Sequence, residues 1–188
     1  PRGRAPARWP GGRPARPALE PARARAIRVN RGDAPTFVVP GEAIPRFGAR
    51  VMDLPHPTNK MSKSADSPQG TILVLDDLTV AAKKVKRAVT DTDNEVRFDR
   101  TTKPGLSNLL EIFAAIEGST PQVVALRYSR YGDLKSDLAA ALISSLSPIQ
   151  QRFNELMNDP GELHRQMSIG SQRANDVAAP VFERASRA

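Results

Sequence analysis

The 188-residue chain contains no cysteine. Disulfides, thiolate metal sites and a cysteine nucleophile are therefore excluded. Histidine is almost as scarce. His56 and His164 are far apart in sequence, which argues against a histidine-built metal site, and no metal ligand is expected. Aromatic residues make up only 5% of the chain, so the core must be largely aliphatic. No apolar run approaches the ~20 residues needed to span a bilayer. The first residues lack the apolar stretch of a secretory signal. No membrane partner and a cytoplasmic location are expected.

Positive charge is present in excess, but it is confined to one place. The formal net charge is +8. Residues 1–31 carry nine arginines and a single acid, Glu20, whereas residues 32–188 carry 19 basic and 19 acidic side chains. The high pI thus describes one short segment. Residues 1–31 are rich in Pro, Arg, Ala and Gly, with few large apolar side chains to offset ordering entropy, and are expected to be disordered. Such a segment can serve as an arginine-rich RNA-binding arm or can be foreign to the rest of the chain. The abrupt change near Arg31 favours the second.

Residues 32–75 have strand-and-loop character. Phe37-Val38-Val39 is a short β-rich run ended by Pro40-Gly41. Arg50-Val51-Met52 is a second such piece, and Thr71 to Leu75 suits a strand or the approach to a helix. The prolines at 55, 57 and 68 mark the intervening Lys/Ser cluster as a loop. From Asp76 the pattern turns helical. Leu78, Ala81, Ala82, Val85 and Val89 form one apolar stripe, with Lys83, Lys84, Lys86 and Arg87 beside or opposite it. A second helix is expected over 107–117, stopped by Gly118. Thr120-Pro121 reads as an N-cap followed by Pro at the first helical position. A long helix begins at Asp133, carries Leu134, Leu138, Leu142, Leu146, Ile149, Phe153 and Leu156 inward, bends at Pro148, and ends at Asp159-Pro160-Gly161. A last helix carries Leu163, Met167, Ala174, Val177, Ala178 and Val181. The fold class is therefore mostly α: a helical bundle over 76–188 attached to a short α/β remnant over 32–75.

The sharpest local signal is Lys60-Met61-Ser62-Lys63-Ser64. Two lysines three residues apart, with hydroxyls between and after them, can hold negative oxygens through mobile ammonium charges and hydrogen-bond donors. On composition alone, a solvated Lys/Ser surface loop explains the same residues. The letters match the K-M-S-K-S signature of class I aminoacyl-tRNA synthetases. The flanks narrow the likeness: Ile44 to Leu54, Pro57-Thr58-Asn59, Leu75-Asp76-Asp77, Lys83 to Asp91, Lys103 to Leu110, Tyr131 to Lys135, and Pro148-Ile149-Gln150. In collinear order across roughly residues 28–188, they resemble tryptophanyl-tRNA synthetases.

The resemblance implies ATP-dependent activation of L-tryptophan followed by transfer to tRNA(Trp), with ATP and its Mg2+ as cofactors and a homodimer as the working form. It implies that the remnant over 32–75 is the end of a Rossmann-like catalytic domain, and that 76–188 is a helical tRNA-recognition domain. The implied catalytic residues are Lys63 first and Lys60 second, in a loop that closes on the phosphates. The implied ATP-binding set is Val51, Lys60, Met61, Ser62, Lys63 and Ser64, Val51 through its backbone at the adenine. The family's first ATP signature, its Gly-x-Asp-Gln segment and its tryptophan pocket have no counterpart here. We therefore expect a shortened chain without aminoacylation activity of its own. The alternative is a non-catalytic helical RNA-binding or interaction module derived from the enzyme. Lys83, Lys84, Lys86 and Arg87 are equally well read as tRNA-facing or as a solvated helix face. Arg127, Arg130 and Lys135 are weaker RNA candidates. His56 is expected to be an exposed loop residue, and His164 structural.

Overall fold

The computed structural model describes residues 19–30, 36–41, 47–63 and 68–187. It divides into two compact units, residues 1–43 with 161–188, and residues 44–160.

The larger unit is built on four helices: α2 (Leu78–Arg87), α3 (Pro104–Glu117), α4 (Pro121–Ala125) and α5 (Tyr131–Asn158). Local chemistry sets their ends. The Asp77 carboxylate accepts from the N–H groups of Thr79 and Val80, two of the donors that the first turn of α2 leaves unsatisfied. Pro104 opens α3, three residues earlier than the pattern predicts, because proline is preorganised for the first helical position. Gly118 closes α3 in the left-handed conformation, as expected. The Thr120 side chain caps α4, also as expected.

Helix α5 packs on α2 and α3, and α4 folds back on α3. The shared core draws Ala81 and Val85 from α2, and Leu106, Leu109, Leu110 and Phe113 from α3. Val124 comes from α4, and Leu134, Leu138 and Leu142 from α5. Each of these large side chains contributes roughly 1.5–3 kcal/mol by leaving water. The stripe predicted for α5 is buried only over its first half. Beyond Leu146, Ile149 and Phe153 are exposed, and the helix continues through Pro148. Proline removes one donor there, but the helix on either side supplies the remaining bonds.

The segment 88–103 crosses between α2 and α3 around one buried ammonium. Lys103 is only 1% exposed and donates to Asp91, Asp93 and the Tyr131 hydroxyl. Burial opposes its charge, yet these three bonds raise its pKa above the ordinary lysine value. Tyr131 moves up to about 12, through burial first and the Asp91 carboxylate second. The Lys135 ammonium donates to the Ala88 carbonyl and the Thr90 hydroxyl, so it serves this segment as well.

The strands expected at 37–39 and 50–52 do not form, and 71–75 takes the second of its two readings, the approach to helix α2: no strand occurs among the described residues. A single antiparallel bridge pairs Met52 with Lys60. The backbone of 51–54 instead distributes its bonds. Met61 N–H donates to Val51 O, Asp53 N–H to Asn59 O, and Leu54 N–H to Gly70 O. Met52 exchanges both of its backbone groups with the side-chain amide of Asn108 on α3. These polar groups are satisfied without a ladder, and satisfaction rather than sheet membership is what burial requires.

In the other unit, helix α1 (Leu19–Val29) corrects the expectation of disorder over 1–31 for its last third. Ala and Arg are strong helix formers, Glu20 and Arg28 suit the two ends of the helix dipole, and Pro21 falls in the first turn, where it is tolerated. Asn30 then ends the helix. Its side chain accepts from the N–H groups of Thr36 and Phe37 and donates to Phe37 O. Residues 1–18 lie outside the described residues. Helix α6 (Pro160–Arg187) buries none of its side chains, and Met167, Val177 and Phe182 are exposed. Of the apolar stripe expected here, Met167, Ala174, Val177 and Ala178 are exposed, and Leu163 and Val181 are half-buried. His164 is exposed as well, not part of a core.

Candidate functional site

The signature loop hangs from a short, tightly bonded support. Residues 52–60 turn back on themselves through the Met52–Lys60 bridge. Inside the turn, the buried Asp53 carboxylate accepts from the His56 N–H at 2.8 Å. His56 itself is 66% exposed, as expected, with its Nδ1 3.4 Å from Asp53. Gly70 is pressed against the same carboxylate: a Cβ at that position would lie 1.7 Å from Asp53 Oδ2. Glycine is required there by close approach.

From this support, Lys60, Ser62 and Lys63 extend into solvent, while Met61 packs against the core. Ser64 lies outside the described residues. Among the described residues, neither Lys60 nor Lys63 is engaged in an ion pair. Ser62 and Lys63 line a groove of about 260 Å³ together with Pro68, Thr71, Leu73, Asp76 and Lys84. Val51 is half-buried, and its carbonyl is taken by the Met61 N–H at 3.0 Å. Five of the six expected ATP-contacting residues, Val51 and 60–63, therefore form one continuous piece of structure.

The wall of the groove holds a feature that the sequence pattern misassigned. Lys84 belongs to the basic run on α2, but its side chain is only 7% exposed. The ammonium donates to Thr71 O and to Asp76 Oδ2, each at 2.7 Å. Asp76 Oδ2 also accepts from the Leu73 N–H. Burial on its own would raise the Asp76 pKa, but the bonds from Lys84 and Leu73 outweigh it and hold the carboxyl below its ordinary value. Thr71 in turn donates from Oγ1 to the Ser62 carbonyl at 2.9 Å. From α5, Gln150 donates to Val74 O and Asp76 O, both at 2.8 Å. Lys83, Lys86 and Arg87 remain exposed. The register carries the signal that was overlooked: Lys84 falls three residues after Ala81 and four before Ala88, both buried. Asn108 is similar, a polar residue inside the run Leu106 to Leu110 that the helix buries.

Of the other basic candidates, Arg127 and Lys135 are engaged within the protein. Arg127 pairs with Glu117 and lies over the rings of Phe113 and Tyr128. Arg130 is exposed, 3.9 Å from Asp133. No cluster of three or more His, Asp or Glu side chains suited to a metal occurs among the described residues. No helix among them is long and apolar enough to cross a membrane. The donors at the groove, ammonium and hydroxyl, fit phosphate oxygens rather than a bare cation.

Comparison with known proteins shows the family. The family model for tRNA synthetases class I (W and Y) matches residues 8–147. The match begins inside the Arg/Pro-rich segment, which the sequence pattern had set apart. A tryptophan–tRNA ligase from Mycobacterium leprae is 46% identical over 177 residues, covering 93% of this chain and 52% of the relative. One from Bacillus anthracis is 43% identical over 162 residues, covering 85% and 49%. The crystal structure of tryptophanyl-tRNA synthetase from Mycoplasma pneumoniae superposes with a TM-score of 0.75 at 27% identity, covering 88% of this chain and 51% of that one. The chain thus spans about half the length of the relatives it matches. By the extent of the family match, the chain belongs to the class I tRNA synthetases of the tryptophan and tyrosine family.

Proposed function

We propose that this chain contributes the phosphate-facing half of the active site of a tryptophan–tRNA ligase, together with its helical tRNA-recognition region. Residues 32–75 are then the end of a Rossmann-like catalytic domain, and 76–188 the part that meets tRNA(Trp). The observation that carries this reading is the pair Lys60 and Lys63. Both are solvent-facing on a loop whose base is fixed by backbone bonds, and Lys63 borders a groove with Ser62.

In the reaction, a carboxylate oxygen of L-tryptophan bonds to the α-phosphorus of ATP. The bond from that phosphorus to the bridging oxygen breaks, and magnesium pyrophosphate leaves. Negative charge grows on the departing phosphates. Lys63 first, and Lys60 second, supply compensating positive charge there, with Ser62 and Ser64 adding hydroxyl or backbone donors and the Val51 backbone facing the adenine. Donors already in place cost little reorganisation when the charge develops. Transfer of the tryptophanyl group to the 3′ end of tRNA comes next. By the same reading the working form is a homodimer in the cytoplasm.

The test is tryptophan-dependent exchange of pyrophosphate into ATP, in a hybrid where this chain replaces the matched stretch of the Mycobacterium leprae relative. Lys63→Ala is expected to lower kcat about 10²–10³-fold, the usual effect of losing one preorganised donor to a developing anion. Lys60→Ala should have a smaller effect in the same direction. Wild-type exchange in the double variant would remove the loop from the chemistry.

A further inference from the structure

Lys84 is the one member of the basic run on α2 that is withdrawn from solvent, and each of its bonds leads toward the signature loop. Its ammonium holds the Thr71 carbonyl and the Asp76 carboxylate at 2.7 Å each. These two acceptors lie at either end of the stretch 71–76, which forms one wall of the groove. The opposite side of Thr71 holds the Ser62 carbonyl through Oγ1. Gln150 fastens Val74 and Asp76 to α5 by two further bonds. Lys84 also lines a second groove of about 200 Å³, with Leu54, Pro55 and Gln69.

We propose that Lys84 is a positioning residue for the signature loop, fixing the Ser62 carbonyl through Thr71 and so setting where Lys63 stands over the groove. A buried ammonium with two charge-assisted or carbonyl bonds is a stiff anchor, because breaking either bond strands a charge away from water. Methionine at this position matches the stem in length but leaves the Thr71 carbonyl and Asp76 without their donor. Arginine retains the charge. The inference rests on the reading of Lys60 and Lys63 as phosphate donors, but it concerns a different residue and a different observable.

Two measurements test it. The first is hydrogen exchange in the 188-residue chain. Lys84→Met is expected to speed exchange across 61–63 and 71–75, with the buried amides of α3 unchanged, and Lys84→Arg should restore much of the protection. Thr71→Val removes only the bond to Ser62. It should loosen 61–63 alone, which keeps the test decisive if Lys84→Met unfolds. The second is the exchange assay in the hybrid. Lys84→Met is expected to lower kcat on the order of 10- to 100-fold, as misplacement of a catalytic group does, with KM for tryptophan unchanged. Wild-type protection of 61–63 in both Lys84→Met and Thr71→Val overturns the proposal. So does a loosened loop with unaltered kcat. Activity that survives loss of Lys60 and Lys63 overturns the reading of the signature instead, and is recognised by those variants rather than by Lys84.

Discussion

At the scale of single residues, the lysines proposed to meet phosphate and the lysines that hold the fold differ in burial rather than in type. Lys60 and Lys63 are exposed, whereas Lys84 and Lys103 are buried and bonded. Sequence alone exposed the first pair through the five-letter signature, hid Lys84 within a run of charge and gave no sign that Lys103 is buried. The missing information is which face of α2 meets α5, and no local pattern contains it. Close approach is another residue-scale effect invisible in sequence. A Cβ at Gly105 would lie 2.2 Å from the Val89 carbonyl oxygen, a backbone atom that cannot rotate away. Gly105→Ala is therefore expected to destabilise the chain by about 1–3 kcal/mol, the usual range for overpacking. A urea midpoint indistinguishable from wild type would show that the first turn of α3 can shift.

At the scale of elements, the pattern located α2, α3, α4 and α5 and their principal caps, because capping chemistry and apolar periodicity are local. It failed where an element needs a partner. The runs at 37–39 and 50–52 have strand composition, but a strand is a property of two segments. Here Asn108, Asn59 and Gly70 satisfy the backbone that a ladder would have served. The inward stripes of α5 and α6 were equally legible as periodicity, yet only the first half of α5 is covered. Mutational cost should track that division. Leu138→Ala in α5 is expected to cost about 2–5 kcal/mol, since Leu138 is wholly buried. Val177→Ala in α6, where Val177 is exposed, should stay within about 0.5 kcal/mol. Paired denaturant curves on the two variants check this; equal losses would mean that α6 is buried in solution.

At the scale of the whole molecule, the net charge of +8 belongs to the first 31 residues, and the remainder is balanced by ion pairs and capping carboxylates. Several of these carboxyls have folded-state pKa values below their ordinary range. Asp99 is held down by the Thr102 hydroxyl and backbone first, and by Arg97 next. Asp93 is held down by Lys103 first. Asp76 is lowered by Lys84 and Leu73 against the opposing effect of burial. A group depressed on folding binds its proton more readily in the unfolded chain. Its contribution is therefore complete above the unfolded value of about 3.9 and disappears as the pH falls through the folded one. The urea midpoint is expected to fall steadily once the pH drops below about 4, and Asp99→Asn should shallow that decline. A midpoint that held its neutral-pH value in strong acid would contradict these assignments.

The sequence by itself determined the family, the signature loop, the helical class and most helix ends. Each of these is written in residues close together along the chain. The tertiary structure alone decided which lysine is buried, which apolar stripe is covered, and how the backbone of 51–54 is satisfied without a sheet. Those outcomes depend on groups well separated in sequence, 13 residues for Lys84 with Thr71 and 74 for Gln150 with Asp76. A buried charge or an unpaired backbone group is tolerated only where a distant partner meets it, and that meeting exists only in the folded chain.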